Sequence, residues 1–426
     1  MSQAMVLALT VFLLTYALII SEKMHRAVAA LLGGMFLIVA GVLSQEKAVE
    51  HVDWNTLGLL IGMMIIVGIT RMSGVFQYLA IKAAKKAKGE PVYILVALAT
   101  VTAMLSAFLD NVTTVLLLVP VTFTIADMLE VDPIPFLISQ VLASNIGGTA
   151  TLIGDPPNIM IGSQTHLGFV DFLVNLTPVV AVIHLVTMAV FFLLYRRKLT
   201  ATPDLKQKIM NLDERQAIKD YALLKKSLLV LGLVMAGFLL HQFLHLESAT
   251  IALFGAALLM LITKVEPEEI LLAVEWPSIF FFLGLFIVVG GLVETGIIDR
   301  VARWSLQVTA GNFTLTGMLI LWLSALASAF VDNIPFVATM IPLIHKMGAL
   351  AHMTPEALNP LWWSLSLGAC LGGNGTLIGA SANVIVAGLA EKHGCPISFL
   401  GFMKTAFPLM LLSVIISTGY LLVFYF

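Results

Sequence analysis

Apolar runs of about 20 residues, each long enough to cross a bilayer, follow one another from end to end of the chain with short polar breaks between them. They predict helices at 4–20, 26–43, 54–72, 135–165 and 171–195, and again at 222–244, 249–264, 277–295, 358–391 and 400–426. Two further apolar stretches, 91–128 and 312–350, are each interrupted near the middle by an Asp-Asn pair. Each of these reads as two spans or as one re-entrant hairpin.

The second group of runs repeats the first. Ser106-Ala-Phe-Leu-Asp-Asn111 recurs 222 positions later as Ser328-Ala-Phe-Val-Asp-Asn333. Val52-Asp-Trp54 matches Val274-Glu-Trp276 at the same offset, as do Gly62, Gly68, Gly74 and Pro120 with Gly284, Gly290, Gly296 and Pro342. Thr151-Leu-Ile-Gly154 followed by Asn158 recurs as Thr376-Leu-Ile-Gly379 followed by Asn383. A constant offset from Val52 to Pro120 is not chance. It divides the chain into a first repeat at 1–195, a linker at 196–221 and a second repeat at 222–426.

Composition fixes the class. The chain is 59% hydrophobic and 11% charged, with mean hydropathy +1.01, against roughly 25% charged in soluble domains. It reads as an all-α polytopic membrane protein. No basic tract is interleaved with aromatic residues, so nucleic acid is not an expected partner. Met1 to Met5 carry no Lys or Arg, unlike the start of a cleavable leader, so the first run reads as a retained helix. Cys370 and Cys395 belong to no metal-binding spacing and read as free thiols; no metal or cofactor is expected.

The basic residues orient the chain, because excess Lys and Arg marks the cytoplasmic side. With five spans and one hairpin per repeat, ten spans in all, both termini fall outside and the linker inside. Lys23 and Arg26 then lie inside, with Lys82, Lys85, Lys86 and Lys88 on a short amphipathic surface helix. Of 23 basic residues only Lys47, Arg300, Arg303 and Lys346 remain outside. An odd span count makes the repeats inverted relative to each other. The basic inner face leaves a soluble ATPase open as a partner.

Candidate chemistry sits where the helices break. Asp110-Asn111 and Asp332-Asn333 interrupt apolar helices, and a mid-membrane charge costs roughly 2.5–3.5 kcal/mol on insertion scales. Such an Asp either couples transport to a cation or caps the helix that follows. In Ser144-Asn-Ile-Gly-Gly-Thr-Ala-Thr-Leu-Ile-Gly-Asp-Pro-Pro-Asn158, glycines and prolines free backbone groups, which membranes tolerate only beside a cavity or inside protein. Asn145, Thr149, Thr151 and Asn158 add polar groups there; Asn374, Thr376 and Asn383 do so in the second repeat, and Thr113 follows the first tip. The repeats differ in one respect: Asp155 faces Ala380. Asp110, Asp155 and Asp332 are therefore the expected carriers of protons or ions. Asn111, Thr113, Asn145, Thr149, Thr151, Asn158, Asn333, Asn374, Thr376 and Asn383 are the expected substrate-binding residues. No Lys or Arg lies in these motifs, so the pocket is expected to lack a basic group.

The run from Ser144 to Asn158, together with Asp110-Asn111, resembles the ion transporter superfamily. It is most similar to the group that holds ArsB-type arsenite pumps, NhaD-type sodium/proton antiporters and the melanosomal P protein, and the resemblance covers essentially the full length. It implies outer helices around two re-entrant hairpins and two broken helices, with substrate held where hairpin tips meet helix breaks. The dicarboxylate transporters of the same superfamily are more distant, since their hairpin-tip Ser-Asn-Thr is replaced here by Asp-Asn.

The expected function is secondary transport, not enzymology. The first reading is export of arsenite or antimonite, neutral hydroxylated solutes, in exchange for protons. The alternative is Na⁺/H⁺ antiport on the same carboxylates, and dicarboxylate or citrate transport comes third. An intramembrane aspartyl protease using Asp110 and Asp155 would leave Asp332 and the repeat without a role.

Overall fold

A computed structural model describes residues 2–21 and 23–426. Met1, part of the N-terminal stretch read above, lies outside the described residues. The first series of helices is α1 (Gln3–Ser21), α2 (Arg26–Val39), α3 (Gln45–Glu50), α4 (Trp54–Met72), α5 (Val75–Lys86), α6 (Pro91–Ser106), α7 (Asn111–Leu129), α8 (Ile134–Gly148), α9 (Pro156–Ser163) and α10 (Phe169–Tyr195). The linker holds α11 (Pro203–Met210). The second series is α12 (Tyr221–Leu244), α13 (Ser248–Thr263), α14 (Pro267–Leu271), α15 (Trp276–Glu294), α16 (Ile297–Val308), α17 (Phe313–Phe330), α18 (Asn333–Leu350), α19 (Asn359–Gly372), α20 (Ser381–Lys392) and α21 (Phe399–Phe424). There is no strand among the described residues.

The fold is all-helical. Among the described residues, eight helices are long and apolar enough to cross a membrane: α1, α4, α7, α10, α12, α15, α17 and α21. The shorter apolar helices α2, α6, α8 and α13 fill in between them. Each interrupted stretch is a helix–turn–helix, α6–α7 and α17–α18, with the turn at its Asp-Asn pair. Pro120 and Pro342 lie inside the second arms, where a missing N–H loosens the helix.

Packing exchanges elements between the two series. Helix α4 lies along α13, and its counterpart α15 lies along α2. Matched glycines set both crossings. A Cβ on Gly62 would stand 2.6 Å from the Ala252 carbonyl carbon, and one on Gly284 would stand 2.4 Å from that of Ala30. Small residues are what lets two membrane helices touch backbone to backbone. Gly74 and Gly296 start α5 and α16 at φ +84° and +75°, the left-handed region that glycine enters without penalty.

Inside this frame each hairpin packs on the broken helix of its own series, α6 on α8 and α17 on α19. Phe172 and Trp363, both buried, meet edge to face at 5.2 Å and tie α10 to α19. The two helix breaks, at 149–155 and 373–380, are thereby held side by side in the interior.

Candidate functional site

Both hairpin tips are built by the same rule. Asp110 accepts from the Thr113 N–H at 2.8 Å and caps α7; Asp332 accepts from the Ile334 N–H at 3.3 Å and caps α18. The capping role weighed in the sequence is therefore present at both tips. A serine in each first arm ties the hairpin down: Ser106 Oγ donates to the Ser144 carbonyl and Ser328 Oγ to that of Ala369, each at 2.7 Å.

The breaks use the matched polar residues on their own backbone. Asn158 Nδ2 donates to the carbonyls of Thr149 and Thr151 at 3.1 and 2.9 Å. Asn383 Nδ2 donates to those of Gly373 and Thr376 at 2.7 and 2.8 Å. Thr151 donates to the Ala107 carbonyl, in the first hairpin turn, and Thr376 to that of Ala329, in the last turn of α17. Thr149 Oγ1 donates to the Asn145 carbonyl at 2.7 Å. These hydroxyls and amides satisfy carbonyls that the glycines and prolines leave open.

A second set crosses between the two series. Asn111 Nδ2 donates to Asn145 Oδ1 at 3.0 Å and to Asp155 Oδ1 at 3.3 Å. Asn333 Nδ2 reaches the same Asp155 oxygen from the other hairpin, at 3.4 Å. Asn145 Nδ2 donates to Asn374 Oδ1 at 2.9 Å and Asn383 Oδ1 at 3.0 Å. The acid without a counterpart thus sits between the two tips and receives an amide from each. Its other oxygen, Oδ2, is fully buried and accepts from no N–H or O–H group among the described residues.

Asp155 faces a void of about 30 Å³ lined by Asp110, Asn111, Asn333 and Ser278. Arg26 and Glu275 complete the wall. The expectation of a pocket without a basic group is thereby corrected. Arg26 Nη1 contacts Asp332 Oδ2 at 2.6 Å and the Ser381 hydroxyl. Its Nη2 donates to Ser278 Oγ at 3.1 Å, and the guanidinium lies 5.1 Å from the centre of the Phe281 ring. Arg26 is the first residue of α2, about 80 positions before the nearest motif. Only the packing of α2 on α15 brings it in, which is why the motifs did not show it.

Not every candidate reaches this void. Thr113 lines an adjoining cavity of about 690 Å³ with Arg71, Lys219 and Glu275. Thr151 and Thr376 stay on the hairpins. Asn111 and Asn333 line the void, and with Asn145, Asn374, Asn383 and Asp155 they form one connected network. Thr149 and Asn158 stay on the backbone of the break, where Asn158 Oδ1 accepts from Ser366 Oγ at 2.5 Å and Cys370 Sγ at 3.6 Å. Cys370 and Cys395 are free thiols.

Comparison with known proteins agrees with this architecture. Residues 16–368 match the model of the citrate transporter family. An uncharacterized transporter of Mycobacterium tuberculosis is 44% identical over 425 residues, 99% of each chain. The 46 kDa membrane protein of Mycobacterium leprae is 42% identical over 98% of each chain. The mouse P protein is 36% identical over 96% of this chain and 59% of its own length. Among solved structures, the YdaH transporter of Alcanivorax borkumensis has the same fold at TM-score 0.60 and 15% identity, over 91% of this chain and 87% of that one. MtrF of Neisseria gonorrhoeae, described with a class of antimetabolite efflux pumps, has TM-score 0.60 at 13% identity, over 92% and 84%. The chain is therefore a secondary transporter, not an enzyme, and belongs to the citrate transporter family.

Proposed function

We propose that this chain is a secondary antiporter that exchanges protons for a small cation, sodium being the first to test. Two inverted repeats, 1–195 and 222–426, alternate access to one central site, with the linker on the cytoplasmic side. The observation that carries this reading is Asp155. One of its oxygens holds an asparagine from each hairpin tip, and the other is buried with no N–H or O–H donor among the described residues. A carboxylate left so in a low-dielectric interior is costly. A proton, or a hard cation that takes oxygen ligands, removes that cost.

Charge supports a cation over an anion. Asp110, Asp155, Asp332 and Glu275 outnumber Arg26 in the neighbourhood of the void. Its volume of about 30 Å³ leaves room only for a small occupant. The 690 Å³ cavity that reaches linker residue Lys219 shares Met64, Val112 and Glu275 with the void. A 470 Å³ cavity at His51, Asp299 and His345 shares no lining residue with it. That difference supports a state open toward the linker side.

Arsenite or antimonite exchange for protons is the second reading. The amides of Asn145, Asn374 and Asn383 favour a neutral hydroxylated solute, although they are bonded to one another here. Vesicles carrying the full chain and an imposed pH gradient separate the two. Sodium that dissipates the gradient supports the first reading; arsenite flux with no sodium effect replaces it by the second. In either case Asp155→Asn is expected to lower exchange about tenfold or more, a barrier change of at least about 1.4 kcal/mol.

A further inference from the structure

The two hairpin tips have the same sequence logic and different charge environments. Asp332 is paired with Arg26 at 2.6 Å; Asp110 has no basic partner within ion-pair distance among the described residues. The position that matches Arg26 in the second series is Ser248, at the start of α13. The asymmetry is therefore written into the chain twice: Asp155 without a second-series acid, and Arg26 without a second-series base.

Arg26 is also placed to hold more than one element around Asp332. It joins four elements: its own α2, the second hairpin tip through Asp332, α20 through Ser381, and α15 through Ser278 and Phe281. Ser381 Oγ in turn donates to Asp332 Oδ2 at 3.0 Å. The planar guanidinium fork suits this multiple contact, where a lysine ammonium would act as a single point. The charged or titratable groups facing Asp332 are Arg26 itself, His25 beside it, and Glu275 across the shared cavity; Asp110 and Asp155 line the adjoining void.

We propose that Arg26 is a positioning residue: it makes Asp332 a fixed counter-charge, ties the second hairpin tip to the scaffold, and leaves the coupling proton to Asp155. This rests on the proton-coupled reading above. Arg26 sets an opposite charge 2.6 Å from Asp332, and removing one partner strands the other. A site with a fixed pair at one tip and a free acid at the centre takes up one net positive charge when Asp155 is neutralised. It also discriminates against anions, because its only guanidinium among the lining residues is already engaged.

The test uses the full-length protein with Arg26→Gln, Asp332→Asn and the double variant, with Arg26→Lys as the conservative control. Infrared difference spectra across neutral pH are expected to show a protonated-carboxyl band in Arg26→Gln that the double variant lacks. No band sensitive to Asp332→Asn is expected in the native background. In vesicles, each single variant is expected to lower exchange about tenfold or more, and the double to recover to within about threefold of native, still driven by the pH gradient. Arg26→Lys is expected to fall between native and Arg26→Gln. A native carboxyl band removed by Asp332→Asn overturns the proposal, and so does a double variant that exchanges without regard to the gradient. The infrared result decides even if the native protein moves no sodium, an outcome that defeats the proposed function instead. If Arg26→Gln does not fold, the native and Asp332→Asn spectra alone decide the charge of Asp332.

Discussion

Asp155 combines roles that its counterparts divide. It precedes the paired prolines that start α9, it gathers Asn111 and Asn333, and it keeps one oxygen without an N–H or O–H donor among the described residues. Its uniqueness was legible in the sequence as the mismatch with Ala380; its position between the tips was not, because the two hairpins are 222 residues apart. Many of the polar residues in the same motifs turned out to close the break rather than face the void. Sequence could not separate these uses, since a threonine that satisfies a carbonyl and one that meets a solute have the same side chain. Packing at the break is equally tight. A Cβ on Gly147 would stand 2.1 Å from the Ala103 carbonyl oxygen. Gly147→Ala is expected to destabilise the protein by about 1–3 kcal/mol, read as a lowered melting temperature in detergent.

The short amphipathic helix expected at the lysine cluster is α5, and the linker docks on it. Lys85 Nζ contacts Glu214 at 2.5 Å and donates to the Leu212 carbonyl at 2.7 Å. Lys206 meets Glu90 at 2.6 Å, and the Lys219 N–H donates to the Ser73 carbonyl at 2.9 Å. The lysines were legible as a surface helix, but the acid that Lys85 meets lies more than a hundred residues away. The hydrogen bond from Lys85 holds the Glu214 carboxyl below its ordinary value. A depressed carboxyl contributes to docking above the ordinary glutamate range, and that contribution is lost as pH falls through the lowered value. Limited proteolysis within 199–220 is therefore expected to be slow at neutral pH and to speed up as the pH falls below the ordinary glutamate range. Glu214→Gln is expected to show the faster cleavage at neutral pH as well. The pair is partly exposed, so added salt weakens the difference.

Glu130 and His352 offer a direct test of the inverted arrangement. They match at an offset of 222, and both are exposed and left-handed, at φ +54°, following α7 and α18. With the linker inside, Glu130 belongs on the inner face and His352 on the outer face. In a Cys395→Ser background, an impermeant thiol reagent added outside intact cells is expected to label His352→Cys and spare Glu130→Cys. Labelling of both from one side would defeat the inversion. The reciprocal packing of α4 on α13 and of α15 on α2 supports it, because a pseudo-twofold in the membrane plane exchanges those pairs.

What the sequence alone determined is local or periodic. Hydropathy placed the helices, Gly, Pro and Asp-Asn placed the breaks, and the constant offset paired them element by element. These features depend on neighbours within a few turns, or on comparing the chain with itself. What only the tertiary structure decided is which side chains meet. The buried oxygen of Asp155, the amide contacts from both tips and the arrival of Arg26 from α2 all join residues far apart in the chain. A charged residue at a helix start reads as a surface group until packing encloses it. Arg26 is enclosed because Gly284 lets α15 approach α2 closely, and that approach carries the guanidinium to the second hairpin tip.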